Sequence, residues 1–192
     1  NGKPGTWLVL PSGMQTLPVG RLGIGGARLD DPATHERIAM GYDGFNPGVM
    51  DPVARLDEQI TDGIVGEVMY PSLSMFTFAI PDAEVRDAAF QQHNDWVLDY
   101  CSVDRNRLIG VGCLPLPDVD RAIAEMDRSA SRGVKGFAIP AHVDPALPYN
   151  DPAFDPFWAR AQEHGVPLTM HIFTGQTLDG GLQAPWGTPG GK

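Results

Sequence analysis

From Asp51 onward the chain alternates between two kinds of hydrophobic pattern. Val53, Leu56 and Ile60 recur at helical spacing behind Asp51-Pro52, an N-cap followed by proline at the first helical position, and Gly63 closes the segment. Ile64 to Met69 is then a short apolar run that reads as a strand leading into Tyr70-Pro71-Ser72. A second helix is predicted from about Asp82 to Ser102, with Val85, Ala89, His93, Trp96 and Tyr100 along one face. Leu108 to Leu114 follows as a strand and stops at Pro115 and Pro117. The third helix starts at Asp118, carries Val119, Ala122, Met126 and Ala130 on one side, and ends at Gly133. Val134 to Ile139 is the next strand, ended by Pro140. Asp151-Pro152 repeats the helix start, and Phe154, Phe157, Trp158 and Ala161 form its apolar stripe up to Gly165. In the last strand, Val166 to Gly175, apolar Val166, Leu168, Met170 and Ile172 alternate with Thr169 and His171.

Helix and strand therefore alternate four times, with strands that look apolar on both faces. That pattern predicts a parallel sheet covered by helices. Strand ends near Tyr70, Leu114, Ile139 and Ile172 suit right-handed βαβ units. A closed (β/α) barrel takes about 250 residues and eight such units. Four are visible, so the pattern allows an open sheet or part of a barrel. Ahead of Asp51 no helical period is evident. Thr6–Leu10 and Met14–Val19 predict a hairpin about Pro11-Ser12-Gly13. Gly20–Gly26 is a glycine-rich loop without the strand-turn-helix context of a phosphate loop. His35, in DDPATHERI, sits on what could be one helical turn and is read as a solvated surface residue. The expected organisation is a loop-rich segment with a hairpin over 1–50, βα units over 51–175, and a Gly/Pro-rich loop over 176–192.

Composition narrows the class. With 192 residues, 42% hydrophobic, the chain can bury a substantial core. No run approaches the roughly 20 apolar residues of a membrane helix, and no basic-apolar leader opens the chain. Cys101 and Cys113 are the only cysteines, which makes a reducing, cytoplasmic setting the default. A net charge of −10 disfavours nucleic acid. The expected partner is a small molecule, with neither nucleic acid nor membrane; a homo-oligomer is left open.

The candidate chemistry centres on His171, because the carboxyl ends of strands carry the chemistry of parallel α/β proteins. A neutral imidazole there suits a metal ion or a proton transfer; the alternative is a core histidine satisfied by backbone. His93 falls on the apolar face of its helix and reads as a core hydrogen-bonding group. His142 follows its strand on the loop side, where it could touch substrate. His164 ends a helix, where a cation meets the negative dipole end. Asp155 and Glu163 lie on a helix expected outside the sheet and are rejected as an acid/base pair. Tyr70, Ser72, Phe76, Phe173 and Trp186 are pocket walls by position. Aromatic loops with few Lys or Arg favour an apolar or aromatic substrate over a polyphosphate.

Four stretches carry a resemblance: Tyr42–Leu73 (YDGFNPGVMDPVARLDEQITDGIVGEVMYPSL), His93–Asp118 (HNDWVLDYCSVDRNRLIGVGCLPLPD), GVKGF and IP within Gly133–Pro140, and Asp151–His171 (DPAFDPFWARAQEHGVPLTMH). Together they resemble the amidohydrolase-related family, which contains aminocarboxymuconate-semialdehyde decarboxylase and related aromatic-acid decarboxylases. The resemblance covers about Tyr42 to Gly175. It implies a (β/α)8 barrel of which the strands seen here are about the second to fifth. It also implies one catalytic divalent metal, zinc first with manganese or iron as alternatives, and His171 as the fifth-strand ligand. The family's strand-one ligand pair is expected before Asn1, and its water-polarising histidine and final-strand aspartate after Lys192. On that basis the chain reads as an internal portion, with its catalytic groups outside it. The implied activity is metal-assisted hydrolysis of a small aromatic or apolar carboxylic acid derivative, the ion bringing the pKa of bound water to about 7. A metal-dependent decarboxylase of an aromatic or unsaturated acid is the first alternative, and a non-catalytic binding barrel the second.

Overall fold

The computed structural model describes residues 6–9 and 15–175. The chain divides into two compact units, one up to Val65 and one from Gly66.

In the first unit, β1 (Trp7–Val9) pairs antiparallel with β2 (Gln15–Pro18), Trp7 opposite Pro18 and Val9 opposite Gln15. This is the expected hairpin; its turn lies outside the described residues. The region thought to lack a helical period contains α1 (Pro32–Ala39), a full helix rather than a single turn about His35. Capping explains it better than periodicity. The Asp31 carboxylate accepts from Ala33 N, and Pro32 takes a position where its missing N–H costs nothing. His35 is exposed, as expected. The next helix, α2 (Pro52–Asp62), is capped by Asp51 and stopped by Gly63 at φ 71°. Its buried face differs from the predicted one. Gln59 is 2% exposed, whereas Val53 and Ile60 are 57% and 67% exposed.

The second unit is a four-stranded sheet in the order β3 (Glu67–Met69), β4 (Leu108–Cys113), β5 (Gly136–His142), β6 (Leu168–Gly175), every neighbouring pair parallel. Connecting it are α3 (Ala83–Tyr100), α4 (Val119–Arg132) and α5 (Asp155–His164). Asp82 and Asp118 cap α3 and α4 through their side chains, and left-handed Gly133 and Gly165 end α4 and α5. The Asp151-Pro152 start opens as a 3-10 turn, Pro152–Phe154, before α5 begins.

Alternate residues of each strand face opposite sides. Phe137 and Ile139 of β5 join Leu98, Leu114, Met126, Phe154 and Phe157 in the larger core cluster, together with α4 and α5. Ala138 faces the other way, with its β4 partner Cys113 and with Val111, and these are covered by Phe78 and Phe90.

Three expectations about this unit shift. β3 is only three residues long, starting at Glu67 rather than Ile64. β5 does not stop at Pro140 but runs on to His142, with an irregularity against β6 between those two residues. α3 is turned relative to its predicted face: Val85 and Trp96 are exposed, while Arg86, Phe90, Asn94, Val97 and Leu98 are buried. Seeking apolar residues alone placed the seam about one position away, because two of its members, Arg86 and Asn94, are polar.

Candidate active site

His171 lies in β6 opposite Pro140 of β5. Two residues earlier on each strand, Thr169 pairs with Ala138, which pairs in turn with Cys113, the last residue of β4. His171 therefore stands beyond the carboxyl end of β4 and on the same face as Ala138, Cys113 and Val111. The expected strand end is refined: β6 continues to Gly175, so the ring belongs to the strand and not to its exit loop.

The backbone beneath the ring is held by a buried hydroxyl. Thr174 Oγ1 accepts from Ala141 N at 2.9 Å and donates to the His171 carbonyl at 2.6 Å. This link spans the irregularity that Pro140 introduces, since proline has no N–H for the ladder. The Pro140 carbonyl accepts from Tyr149 Oη at 2.6 Å. A rigid backbone on both strands is what a positioned imidazole requires.

Above the same face runs a 3-10 segment, Leu73–Ala79, which follows β3 and packs against both β6 and α3. Phe78 in it packs against Phe90 with ring centroids 4.6 Å apart and planes tilted by 55°. Phe76, expected as a pocket wall, is half-buried in this segment. Tyr70 and Ser72 lie on the connection from β3 and are exposed. His142, expected in a loop, is the last residue of β5, opposite Gly175. Phe173 is two residues beyond His171 in β6. Trp186 lies outside the described residues.

The remaining candidates have structural partners. His164 Nε2 meets Asp127 Oδ1 at 2.7 Å, so it pairs with a carboxylate on α4 rather than capping its own helix. Glu163 pairs with Arg160, away from the sheet. His93 is the core hydrogen-bonding group that was expected: Nε2 meets the Val111 carbonyl at 3.2 Å and Nδ1 meets Ser74 Oγ at 2.9 Å. The sequence reading missed Ser74 and Thr174. Neither follows from periodicity, but Pro71 is a clue to the first. A proline just past a three-residue strand ends its pairing and leaves the neighbouring strand's polar groups to find side-chain partners.

The donor set decides how far a metal ion fits. Among the described residues there is no group of three or more His, Cys, Asp or Glu side chains that could hold one. Cys113, on the same face as His171, is fully buried, and burial pushes its thiol up. These residues can supply one imidazole to an ion but cannot enclose it.

Four parallel strands with intervening helices, and an imidazole on β6 beyond the carboxyl end of β4, make this an α/β protein of parallel βα units. Residues 55–185 match the family model described as amidohydrolase, and the chain belongs to that family. Gamma-resorcylate decarboxylase of Rhodococcus jostii (strain RHA1) is 32% identical over 102 residues, which are 48% of this chain and 31% of that protein. The structure of 2,6-dihydroxybenzoate decarboxylase from Rhizobium aligns with a TM-score of 0.53 at 26% identity, covering 61% of this chain and 38% of that one. A dihydroxybenzoic acid decarboxylase from Polaromonas sp. JS666, solved with bound manganese and the inhibitor 2-nitroresorcinol, shares the fold. Its TM-score is 0.55 at 22% identity, over 65% of this chain and 38% of that one. The chain thus spans about a third of the length of the relatives it matches, and its sheet is part of a (β/α)8 barrel. No helix among the described residues is long and apolar enough to cross a membrane.

Proposed function

We propose that the protein carrying these residues is a metal-dependent decarboxylase of a small aromatic carboxylic acid. The observation that supports this most is the likeness to an aromatic-acid decarboxylase at 32% identity over 102 residues. The hydrolase placed first on sequence grounds gives way to the decarboxylase placed second, which the likeness to gamma-resorcylate and 2,6-dihydroxybenzoate decarboxylases supports better.

In this reading His171 is one metal ligand, and the other donors come from outside the described residues. The ion, when bound, supplies positive charge that orients the substrate's oxygens. Whether it is zinc, as first expected, or manganese, as in the Polaromonas protein, is a question for metal analysis. The chain's own contribution is positional. Thr174 and Tyr149 fix the strands around His171, while Phe76 and Phe78 bring aromatic surface to that face, suited to a ring-bearing substrate. His142, Tyr70, Ser72, Phe173 and Trp186 are proposed as further substrate contacts, and 51–175 as the barrel segment between a loop-rich 1–50 and a loop over 176–192.

The test is a product assay on the natural full-length protein with its metal content measured. Release of carbon dioxide from 2,6-dihydroxybenzoate supports the reading. Turnover of aryl or alkyl esters without any carbon dioxide release restores the hydrolase, and a metal-free protein inert to both classes leaves the binding barrel.

A further inference from the structure

We propose that Ser74 and His93 form a positioning pair that seats the Leu73–Ala79 segment over the sheet face bearing His171. The proposal rests on the decarboxylase reading for its catalytic consequence, but its geometry stands on the fold alone. β3 ends at Met69, opposite Gly110, so β4 runs on for three residues with no strand on that side. Leu114 N donates to Ala138 O in β5. Because consecutive residues of a strand present their backbone groups to opposite sides, Val111 and Cys113 turn theirs toward the side β3 has left. Two side chains of α3 take the vacated place. Asn94 pairs with the backbone of Cys113, and His93 Nε2 reaches the Val111 carbonyl at 3.2 Å.

A carbonyl only accepts, so Nε2 carries the ring proton and Nδ1 is the lone-pair side. The Ser74 hydroxyl must then donate to Nδ1, at 2.9 Å. Burial lowers the His93 pKa against a smaller opposing effect of the Val111 carbonyl, which favours the neutral ring able to accept from Ser74. The unpaired edge of β4 thus sets the tautomer of His93, and that tautomer holds Ser74. Two and four residues on are Phe76 and Phe78, in the segment that packs on β6. His93 thus joins a carbonyl of β4 to a hydroxyl of the overlying segment, the geometry of a positioning pair.

The test uses the natural full-length, metal-loaded protein, with the wild type assayed first for carbon dioxide release. Ser74→Ala is expected to raise KM for 2,6-dihydroxybenzoate about tenfold, the size of one lost hydrogen bond, with kcat and metal content nearly unchanged. Ser74→Thr should restore KM, and adding His93→Gln to Ser74→Ala should raise it no further. An unchanged KM, or a lowered Tm and kcat at constant KM, overturns the positioning role. Should the wild type show no turnover, the decarboxylase reading has failed and the pair is judged separately by 15N spectra of the His93 ring. An Nε2–H tautomer whose Nδ1 signal moves in Ser74→Ala supports it; a signal that does not move overturns it.

Discussion

The Asn94 side chain pairs with the backbone of Cys113 much as a neighbouring strand would. Asn94 Nδ2 donates to the Cys113 carbonyl at 3.0 Å, and Asn94 Oδ1 accepts from the Cys113 N–H at 2.7 Å. The same amide donates to Glu125 Oε1 at 2.6 Å, so a fully buried residue joins α3, β4 and α4. Replacing it by leucine, close in volume, strips the buried N–H and carbonyl of Cys113 of their side-chain partner, while Glu125 Oε1 keeps its bonds from Ser129 and Arg128. Asn94→Leu should therefore lose about 3 kcal/mol or more of stability, the usual cost being about 1–3 kcal/mol per orphaned group. The urea midpoint reads this directly. A loss under about 1 kcal/mol would mean water replaces the amide.

Gly112 gives a second test of the same junction. A Cβ there would lie 2.8 Å from Asn94 Oδ1 and 2.9 Å from the Phe137 ring. Both neighbours are fully buried and fixed, so neither can yield cheaply. Gly112→Ala should cost about 1–3 kcal/mol through overpacking. Gly25→Ala is the control: its Cβ would meet open space, so stability should hold or rise by up to about 1 kcal/mol. Equal effects at the two positions would contradict the packing described.

How far the sequence foretold the fold depends on where polar groups went. The helix starts at Asp51, Asp82 and Asp118 and the stops at Gly63, Gly133 and Gly165 were legible, because caps and left-handed glycines act locally. The parallel order of β3 to β6 followed from the alternation of helix and strand. The faces of α2 and α3 did not follow. Gln59, Arg86 and Asn94 are buried at positions where an apolar count predicts exposure, and for Asn94 the reason is tertiary: the edge of β4 needs its amide. Arg86 is held in part by the Ile80 carbonyl, a partner outside its own helix. Pro140 misled in the opposite sense. Proline usually ends a strand, but the Thr174 hydroxyl takes the neighbouring Ala141 N–H and lets β5 continue. Of the site, His171 was visible as a strand histidine. The Ser74–His93 and Thr174–Ala141 links were not, since each joins residues well apart in sequence.

Two histidines separate a ligand role from a structural one. His171→Ala should abolish stoichiometric metal binding and carbon dioxide release in the natural full-length protein, while a denaturation midpoint close to wild type excludes unfolding as the cause. His164 pairs with Asp127 at the protein surface, and Arg160 reaches the same carboxylate. His164→Ala should thus leave metal content and activity intact and shift stability by less than about 1 kcal/mol. Metal analysis of the purified variants is the measurement. Full occupancy in His171→Ala would return that ring to the structural core.

The pH dependence of stability should show His93 as an acid-side liability. Burial lowers its pKa in the folded protein below the ordinary value of 6.5, so the fold prefers the neutral ring. Above about pH 6.5 both folded and unfolded chains carry neutral rings, and the contribution is complete. As pH falls below that value the unfolded chain takes up a proton that the folded chain resists, and stability declines until the folded pKa is passed. Asp95 follows the same sign in a lower window. Arg128 first, and then Arg132, hold its carboxylate below the usual range, so its contribution is lost only as pH drops beneath about 4. The two windows are separable. Urea midpoints should fall between pH 7.5 and pH 5.5 in the wild type, and His93→Gln should flatten that limb while leaving the steeper loss below about pH 4. An unaltered slope between pH 7.5 and pH 5.5 in His93→Gln would show that the ring is not held neutral by the fold, and would remove the basis for the hydroxyl donation from Ser74.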